Sequence, residues 1–136
     1  MEAGLPLWGH ELDETITPVE AGLGFAISKK RRDAADFLGA ARIIDELKTG
    51  PKRRLVGLSA SGARPVRDGV ILRHNGKPVG SVTSGGFAPS LDRPAALGFV
   101  EAEFAFAGTS LLADTRSTPT AITVSPLPFV QHQYFR

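Results

Sequence analysis

Few residues in this sequence stand at a spacing that would let them perform chemistry together. The three histidines, His10, His74 and His132, lie far apart in the chain, and none has a second metal ligand at a typical spacing. Residues 59–62 (SASG) lack the Gly-x-Ser-x-Gly frame of a nucleophile turn. The chain contains no cysteine, which excludes disulfides and thiolate chemistry. The residues therefore predict neither a catalytic group nor a metal site in this chain.

The charged residues are distributed unevenly. The net charge of the 136 residues is +2, yet residues 1–28 contain five acids and no Lys or Arg, whereas residues 29–54 contain nine bases against four acids. These bases are concentrated in two short clusters, at residues 29–32 and 52–54. Such short clusters are typical of a solvated turn beside a helix, and they favour a partner other than nucleic acid.

The composition places the chain among globular domains. Hydrophobic residues make up 42% of it and charged residues 22%, both near the averages for folded proteins. No apolar run approaches the ~20 residues that span a bilayer, and no signal peptide follows Met1, so we expect no membrane partner and no targeting segment. The 15 Gly and 10 Pro residues are spread along the chain, which indicates many turns and mostly β structure.

Two helices are predicted before residue 50. Thr17 and Glu20 have the spacing of a capping box with Pro18 at the first helical position, so a short helix is expected that stops by Gly22 or Gly24. Apolar residues then recur at steps of three and four residues, which predicts a helix over about 38–48. A Gly-Pro pair at residues 50–51 ends it.

Short apolar runs bounded by turn residues predict six strands after residue 50. They cover about 54–60, 69–74, 77–84, 95–100, 109–116 and 119–126. Asn75-Gly76 predicts a tight hairpin, because both residues tolerate positive φ, and residues 84–90 are expected to form a long loop. The predicted fold class is mainly β with one or two helices (α+β), as a six-stranded antiparallel barrel or jelly-roll with a flanking N-terminal helical segment.

Several ordered motifs, spread over the whole chain, are similar to those of one enzyme family. The family is that of the aminomethyltransferases, the T-proteins of the glycine cleavage system. The motifs are EAGL at 2–5, LWGHELDET at 7–15, TPVEAGLGF at 17–25, FLG at 37–39, RLVGL at 54–58, GSVTSGGFAPSL at 80–91, ALGFV at 96–100 and PFV at 128–130.

The resemblance is confined to the C-terminal part of a longer enzyme. It implies that residues 1–50 are the end of a folate-binding region and that residues 51–136 are a C-terminal β-barrel domain. The whole enzyme would take the aminomethyl group carried on the lipoyl arm of the H-protein, release ammonia and transfer the methylene to tetrahydrofolate. The family's catalytic aspartate lies in the N-terminal part, so the isolated chain is expected to be inactive. The expected location is the bacterial cytoplasm, or the mitochondrial matrix in a eukaryote.

The resemblance also implies three contacts to tetrahydrofolate, made by Glu2, Arg31 and Tyr134. A carboxylate can accept the two parallel donors that a pterin presents, and this suits Glu2. A guanidinium offers a fork of donors to the carboxylate of the folate tail, which suits Arg31. Tyr134 offers a ring for packing and one hydroxyl. A slip of one residue in the alignment would substitute Lys30 or Arg32 for Arg31.

Two functions other than that of an aminomethyltransferase fragment remain open from the sequence. The chain could be the folate-binding end of a sarcosine or dimethylglycine oxidising enzyme, which would have a flavin domain upstream. It could also be a small basic β-barrel that binds RNA. That function needs aromatic side chains interleaved with bases, whereas Phe99, Phe104 and Phe106 lie near acids.

Residues 1–28, called the N-terminal segment below, carry several large apolar side chains without one basic residue. We expect this segment to be the least independently stable part of the chain, and to self-associate or to pack against a neighbouring chain. The apolar residues concerned are Leu5, Leu7, Trp8, Leu12, Ile16 and Phe25.

Overall fold

A closed barrel of six antiparallel strands dominates the part of the chain that the computed structural model describes, residues 1–116 and 118–131. Around the barrel the strand order is β1-β4-β3-β2-β5-β6, and β1 closes it by pairing with both β4 and β6. This confirms the predicted fold class. The strands are β1 Arg53–Ala60, β2 Ile71–His74, β3 Lys77–Ala88, β4 Arg93–Glu101, β5 Ser110–Ala113 and β6 Thr120–Ser125.

The barrel interior is filled by aliphatic side chains. Burial alternates along β5 and β6, as expected for strands with one face on a core and the other in water. Leu58, Leu72 and Val100 are fully enclosed, and the same core extends from Val56 to Val124. Burying one such side chain stabilises a fold by roughly 1.5 to 3 kcal/mol. The barrel therefore has a core of its own.

Two α-helices precede the barrel in the described residues, α1 at Lys29–Ala34 and α2 at Ala40–Thr49. The helix predicted over about 38–48 is confirmed as α2, and Gly50 ends it in the left-handed region at φ +88°. The basic cluster, expected to be a turn, forms α1, because the Ser28 side chain accepts a hydrogen bond from the Arg31 N–H and caps the first turn. None of the described helices is long and apolar enough to cross a bilayer.

The capping box forms, but the helix predicted after it does not. The Thr17 N–H donates to Glu20 Oε2 at 2.9 Å, and the Glu20 N–H donates to Thr17 Oγ1 at 3.1 Å. Gly22 then takes φ +75°, in the left-handed region, so the chain leaves the helical path after one turn. A short 3₁₀ turn at Gly24–Ala26 follows.

The hairpin at Asn75-Gly76 is confirmed, with both residues at positive φ, but the loop predicted over 84–90 is wrong. Strand β3 continues to Ala88, and Gly85 pairs with Ala96 of β4. A Cβ atom on Gly85 would lie 1.8 Å from the carbonyl oxygen of Val66. Glycine is required there because another part of the backbone passes close to the strand, and not because the chain turns. A 3₁₀ turn at Pro89–Leu91 then joins β3 to β4.

Candidate functional site

Glu2 is fixed by hydrogen bonds at both its backbone and its side chain. Its carbonyl oxygen accepts from the N–H groups of Phe129 and Val130, at 3.1 and 3.2 Å. Its carboxylate accepts from a single residue: Oε1 from the Ser90 N–H at 2.9 Å and Oε2 from the Ser90 hydroxyl at 2.7 Å. The start of the chain is therefore held against the β3–β4 connection and against residues 129–130.

These contacts also affect the titration of Glu2. The bond from the Ser90 hydroxyl, followed by the bond from the Ser90 N–H, lowers the pKa of the Glu2 carboxyl below its ordinary value. Like any glutamate the side chain is an ionised acceptor at neutral pH, and the lowered pKa extends its ionised range to more acid solution. A carboxylate has about four lone-pair sites, so each oxygen can still accept a second donor from a ligand.

A cleft of about 560 Å³ is lined by residues that begin directly after Glu2 in the chain, while Glu2 itself is not part of the lining. Ala3 and Gly4, which follow Glu2, form one wall of it, and Phe25 contributes an aromatic ring that is 78% exposed. The remaining lining is mostly aliphatic: Leu5, Pro6, Ala21, Gly22, Leu23, Leu55, Leu127 and Pro128. A mostly apolar cleft of this size suits a flat ring system.

Arg31 lies on α1 with its side chain directed to the outside. Its Nη1 donates to Asp36 Oδ1 at 2.6 Å, and 57% of its side chain is exposed. Arg32 instead donates to backbone carbonyls, from Nε to Ile27 at 2.7 Å and from Nη2 to Gly24 at 2.8 Å. Arg32 thus holds the turn before α1 in place, which leaves Arg31 or the exposed Lys30 as the cation available to an anionic ligand.

Glu2 and Arg31 have different partners, and no hydrogen bond between them is formed in the described residues. Tyr134, the third residue implied by the resemblance, lies outside the described residues, as does His132.

Two buried carboxylates have long-range roles that the sequence analysis did not predict. Glu11 is only 1% exposed and accepts from the Leu7 N–H at 3.1 Å, from Thr83 Oγ1 at 2.8 Å and from the Ser84 hydroxyl. It connects the loop around Trp8 to strand β3. No local pattern marks Glu11, because two of its three donors lie more than 70 residues away along the chain.

Glu20 is the second buried carboxylate, and it connects the N-terminal segment to both α2 and the barrel. Its Oε1 accepts from Arg53 Nε at 3.0 Å at the start of β1, and Oε2 lies 3.4 Å from Arg42 Nη2 on α2. Its carbonyl oxygen accepts from the Leu55 N–H at 2.9 Å. The capping box marks Glu20 only as a local helix signal. The contacts by which Glu20 connects the N-terminal segment to α2 and to the barrel are made with residues distant in sequence.

The geometry defines a class of protein: a closed antiparallel β-barrel with an N-terminal segment that carries a carboxylate fixed by the barrel and that lines an apolar cleft. The family described as "Glycine cleavage T-protein C-terminal barrel domain" matches residues 53–131. The chain belongs to this family, as the sequence motifs indicated.

Named relatives agree with this assignment. The chain is 44% identical over 135 residues to the mitochondrial aminomethyltransferase of Gallus gallus, covering 99% of this chain and 34% of the relative. It is 41% identical over 136 residues to that of Pisum sativum, covering 100% and 33%. The chain thus spans about a third of the length of the curated relatives it matches.

A solved structure is also similar. The crystal structure of glycine cleavage system aminomethyltransferase T from Bartonella henselae superimposes with a TM-score of 0.93 at 40% identity, covering 99% of this chain and 38% of that one. The fold of the described residues is therefore that of the matching 38% of that chain.

Proposed function

We propose that this chain is the C-terminal, folate-binding part of an aminomethyltransferase of glycine cleavage. The whole enzyme transfers the methylene of the aminomethyl group carried on the lipoylated H-protein to tetrahydrofolate and releases ammonia. The observation that carries the proposal for this chain is the Glu2 carboxylate, whose two oxygens are fixed by Ser90 and which directly precedes, in the chain, the residues that line the apolar cleft.

Glu2 and Arg31 have roles that fit the contacts they make, and the family resemblance gives a third role, to Tyr134. Glu2 accepts the paired donors at the edge of the pterin, because its two oxygens are fixed and negatively charged. Arg31 binds the carboxylate tail of the folate in place of its exposed bond to Asp36, which costs little because exposed ion pairs are weak. Tyr134 packs against the bound folate. Tetrahydrofolate supplies the nitrogen atoms that receive the methylene.

The division of the chain follows the same proposal. Residues 1–50 complete the folate-binding region with the N-terminal domains of the whole enzyme, and residues 51–136 form the C-terminal barrel domain. The exposed Leu5, Leu7 and Trp8 provide apolar area for those domains to cover. The catalytic aspartate belongs to the N-terminal part, so the isolated chain does not turn over aminomethyl-loaded H-protein. The location is the mitochondrial matrix in a eukaryote and the cytoplasm in a bacterium.

Folate binding to the isolated chain tests the proposal. Saturation-transfer NMR with tetrahydrofolate detects weak binding, which is expected because the remaining walls of the site are absent. Glu2→Gln and Arg31→Ala should each weaken binding, whereas the exposed controls Glu103→Gln and Arg64→Ala should not. Equal binding by Glu2→Gln and the unchanged chain would contradict the proposal.

The coding sequence upstream of residue 1 provides the second test. A continuation of about twice this length that carries the family's catalytic aspartate is expected. An upstream flavin domain would instead assign the chain to a sarcosine or dimethylglycine oxidising enzyme.

A further inference from the structure

Ser90 binds the Glu2 carboxylate with two donors that belong to one residue. Its N–H reaches Oε1 at 2.9 Å and its hydroxyl reaches Oε2 at 2.7 Å, although 88 residues separate the two in sequence. Two donors fixed relative to each other determine the rotation of the carboxylate plane as well as its position. A single hydrogen bond would leave that rotation free.

The backbone around Ser90 is itself held in place. Ser90 is the middle residue of the 3₁₀ turn Pro89–Leu91, which begins with a proline and ends at Asp92 in the left-handed region. The strands on either side remain paired up to the turn, with Ala88 opposite Arg93. The two donors are therefore presented from the end of a long β-hairpin whose strands are paired up to the turn, and not from a loose loop.

The backbone of Glu2 is fixed separately, by the N–H groups of Phe129 and Val130. Removing the Ser90 hydroxyl would consequently leave the Glu2 backbone in place and free only the side chain. This separation of backbone and side-chain restraints makes the role of Ser90 testable.

We propose that Ser90 is the positioning residue for Glu2: it sets the orientation of the carboxylate plane, so that both oxygens are held in one fixed arrangement for a ligand that presents paired donors. This inference rests on the proposed function for its ligand. Its first part, the coupling of Ser90 to Glu2, concerns this chain alone.

The coupling is tested without any ligand. The carboxyl carbon of Glu2 is titrated by ¹³C NMR in the unchanged chain, in Ser90→Ala and in Ser90→Thr. The alanine variant should raise the pKa of Glu2 towards its ordinary value, because the hydroxyl bond is the largest cause of the lowering. The threonine variant keeps both donors and should preserve the low pKa.

Ser61→Ala is the matched control, because it also removes an exposed serine hydroxyl that donates a hydrogen bond. The acceptor in this case is the backbone carbonyl of Ala121 and not Glu2. It should leave the titration of Glu2 unchanged. A Glu2 titration that is the same in Ser90→Ala as in the unchanged chain would overturn the inference.

Tetrahydrofolate binding supplies the second readout. Ser90→Ala should weaken binding roughly three- to tenfold in the chain that carries Glu2, the size expected for the loss of one hydrogen bond of ordinary strength. In the Glu2→Gln background the same change should have almost no further effect. Equal weakening in both backgrounds would overturn the positioning role. Absence of binding by every variant would count against the proposed function, and the NMR titration would then decide the inference alone.

Discussion

The barrel and the N-terminal segment are stabilised by different kinds of side chain. The core of the barrel consists of aliphatic residues that, apart from Val66 in the β1–β2 connection, belong to strands of the same sheet. In the N-terminal segment the buried residues are Glu11, Thr17, Glu20 and Ala21, so three of the four are polar. Its large apolar side chains are exposed instead, with Trp8 at 67% and Leu7 at 62%.

This difference has a physical consequence. Aliphatic packing is not directional, and it makes the barrel stable without specifying a neighbour. Hydrogen bonds to a buried carboxylate depend on geometry, so they fix where the segment lies at little net gain in stability. The segment is thus attached to the barrel by polar contacts, while its apolar side chains remain available to another surface.

The largest expected effect comes from emptying the barrel core. Leu72→Ala removes a fully buried side chain and should lower the free energy of unfolding by about 2 to 5 kcal/mol, from lost transfer energy and the cavity left behind. Urea denaturation followed by circular dichroism measures this. Leu112→Ala is the control, because Leu112 is 46% exposed, and it should cost about 1 kcal/mol or less. Equal losses in the two variants would show that the barrel does not depend on its core in this way.

Breaking the polar attachment should affect the N-terminal segment and leave the barrel intact. Glu11→Ala leaves the Leu7 N–H and the hydroxyls of Thr83 and Ser84 without their acceptor, at a cost of about 1 to 3 kcal/mol. Amide exchange in the loop at residues 7–12 should then accelerate roughly 5- to 150-fold, while exchange in β1 and β4 stays slow.

Glu14→Ala is the control for this experiment, since Glu14 is an exposed acid in the same segment. It should leave exchange at residues 7–12 unchanged. If Glu11→Ala accelerated exchange equally in the barrel strands, the two regions would be one cooperative unit and the contrast between them would be wrong.

The sequence predicted the barrel well because its signals are local. The Asn75-Gly76 hairpin and the short apolar runs lie next to the turns that pair them, and five of the six strands are within about two to three residues of their predicted ends. The prediction for strand β3 is too short because it treats Gly85 as a turn residue. Gly85 instead allows the backbone at Val66, 19 residues away in sequence, to pass close to the strand. Composition cannot distinguish a glycine in a turn from a glycine under another backbone.

The candidate site was predictable only in part. The motif resemblance indicates Glu2 and Arg31. The structure makes Arg32 a poorer candidate for the folate-tail contact, because its guanidinium already donates to two backbone carbonyls. The donor that orients Glu2, Ser90, lies 88 residues further along the chain. Thr83, which donates to the buried Glu11, lies 72 residues further along. Such long-range polar contacts have no periodicity, so no pattern in the sequence reveals them.

Self-association tests what the exposed apolar side chains of the N-terminal segment can do. The isolated chain should form larger species as its concentration rises, because contact between apolar groups is not screened, whereas repulsion between the five acids of this segment fades beyond about 8 to 10 Å in ordinary buffer. Each apolar side chain buried contributes roughly 1.5 to 3 kcal/mol. Sedimentation velocity over a range of concentrations measures the association.

Trp8→Ser should shift the isolated chain towards monomer, whereas Leu112→Ser, which changes an exposed apolar residue on the barrel, should not. A chain that stays monomeric at every concentration would show that the exposed apolar side chains of the segment do not attract one another. Equal shifts in the two variants would show that the barrel surface is as adhesive as the segment.

The smallest effect concerns acid and Asp13, which fixes a turn within the N-terminal segment. The hydroxyl of Thr15, then its N–H, donates to the carboxylate and lowers the pKa of Asp13 below its ordinary value of about 3.9. Because the folded pKa is the lower one, the stabilisation is fully present above the unfolded pKa and is lost as the pH falls through the folded value. Exchange at residues 13–16 should therefore accelerate below about pH 4, before the barrel responds.

Thr15→Val removes the hydroxyl and keeps the N–H, so it should raise the pKa of Asp13 and shift this loss to higher pH, whereas Thr123→Val on β6 should leave it unchanged. Identical pH profiles for Thr15→Val and the unchanged chain would show that the turn does not depend on the ionised carboxylate.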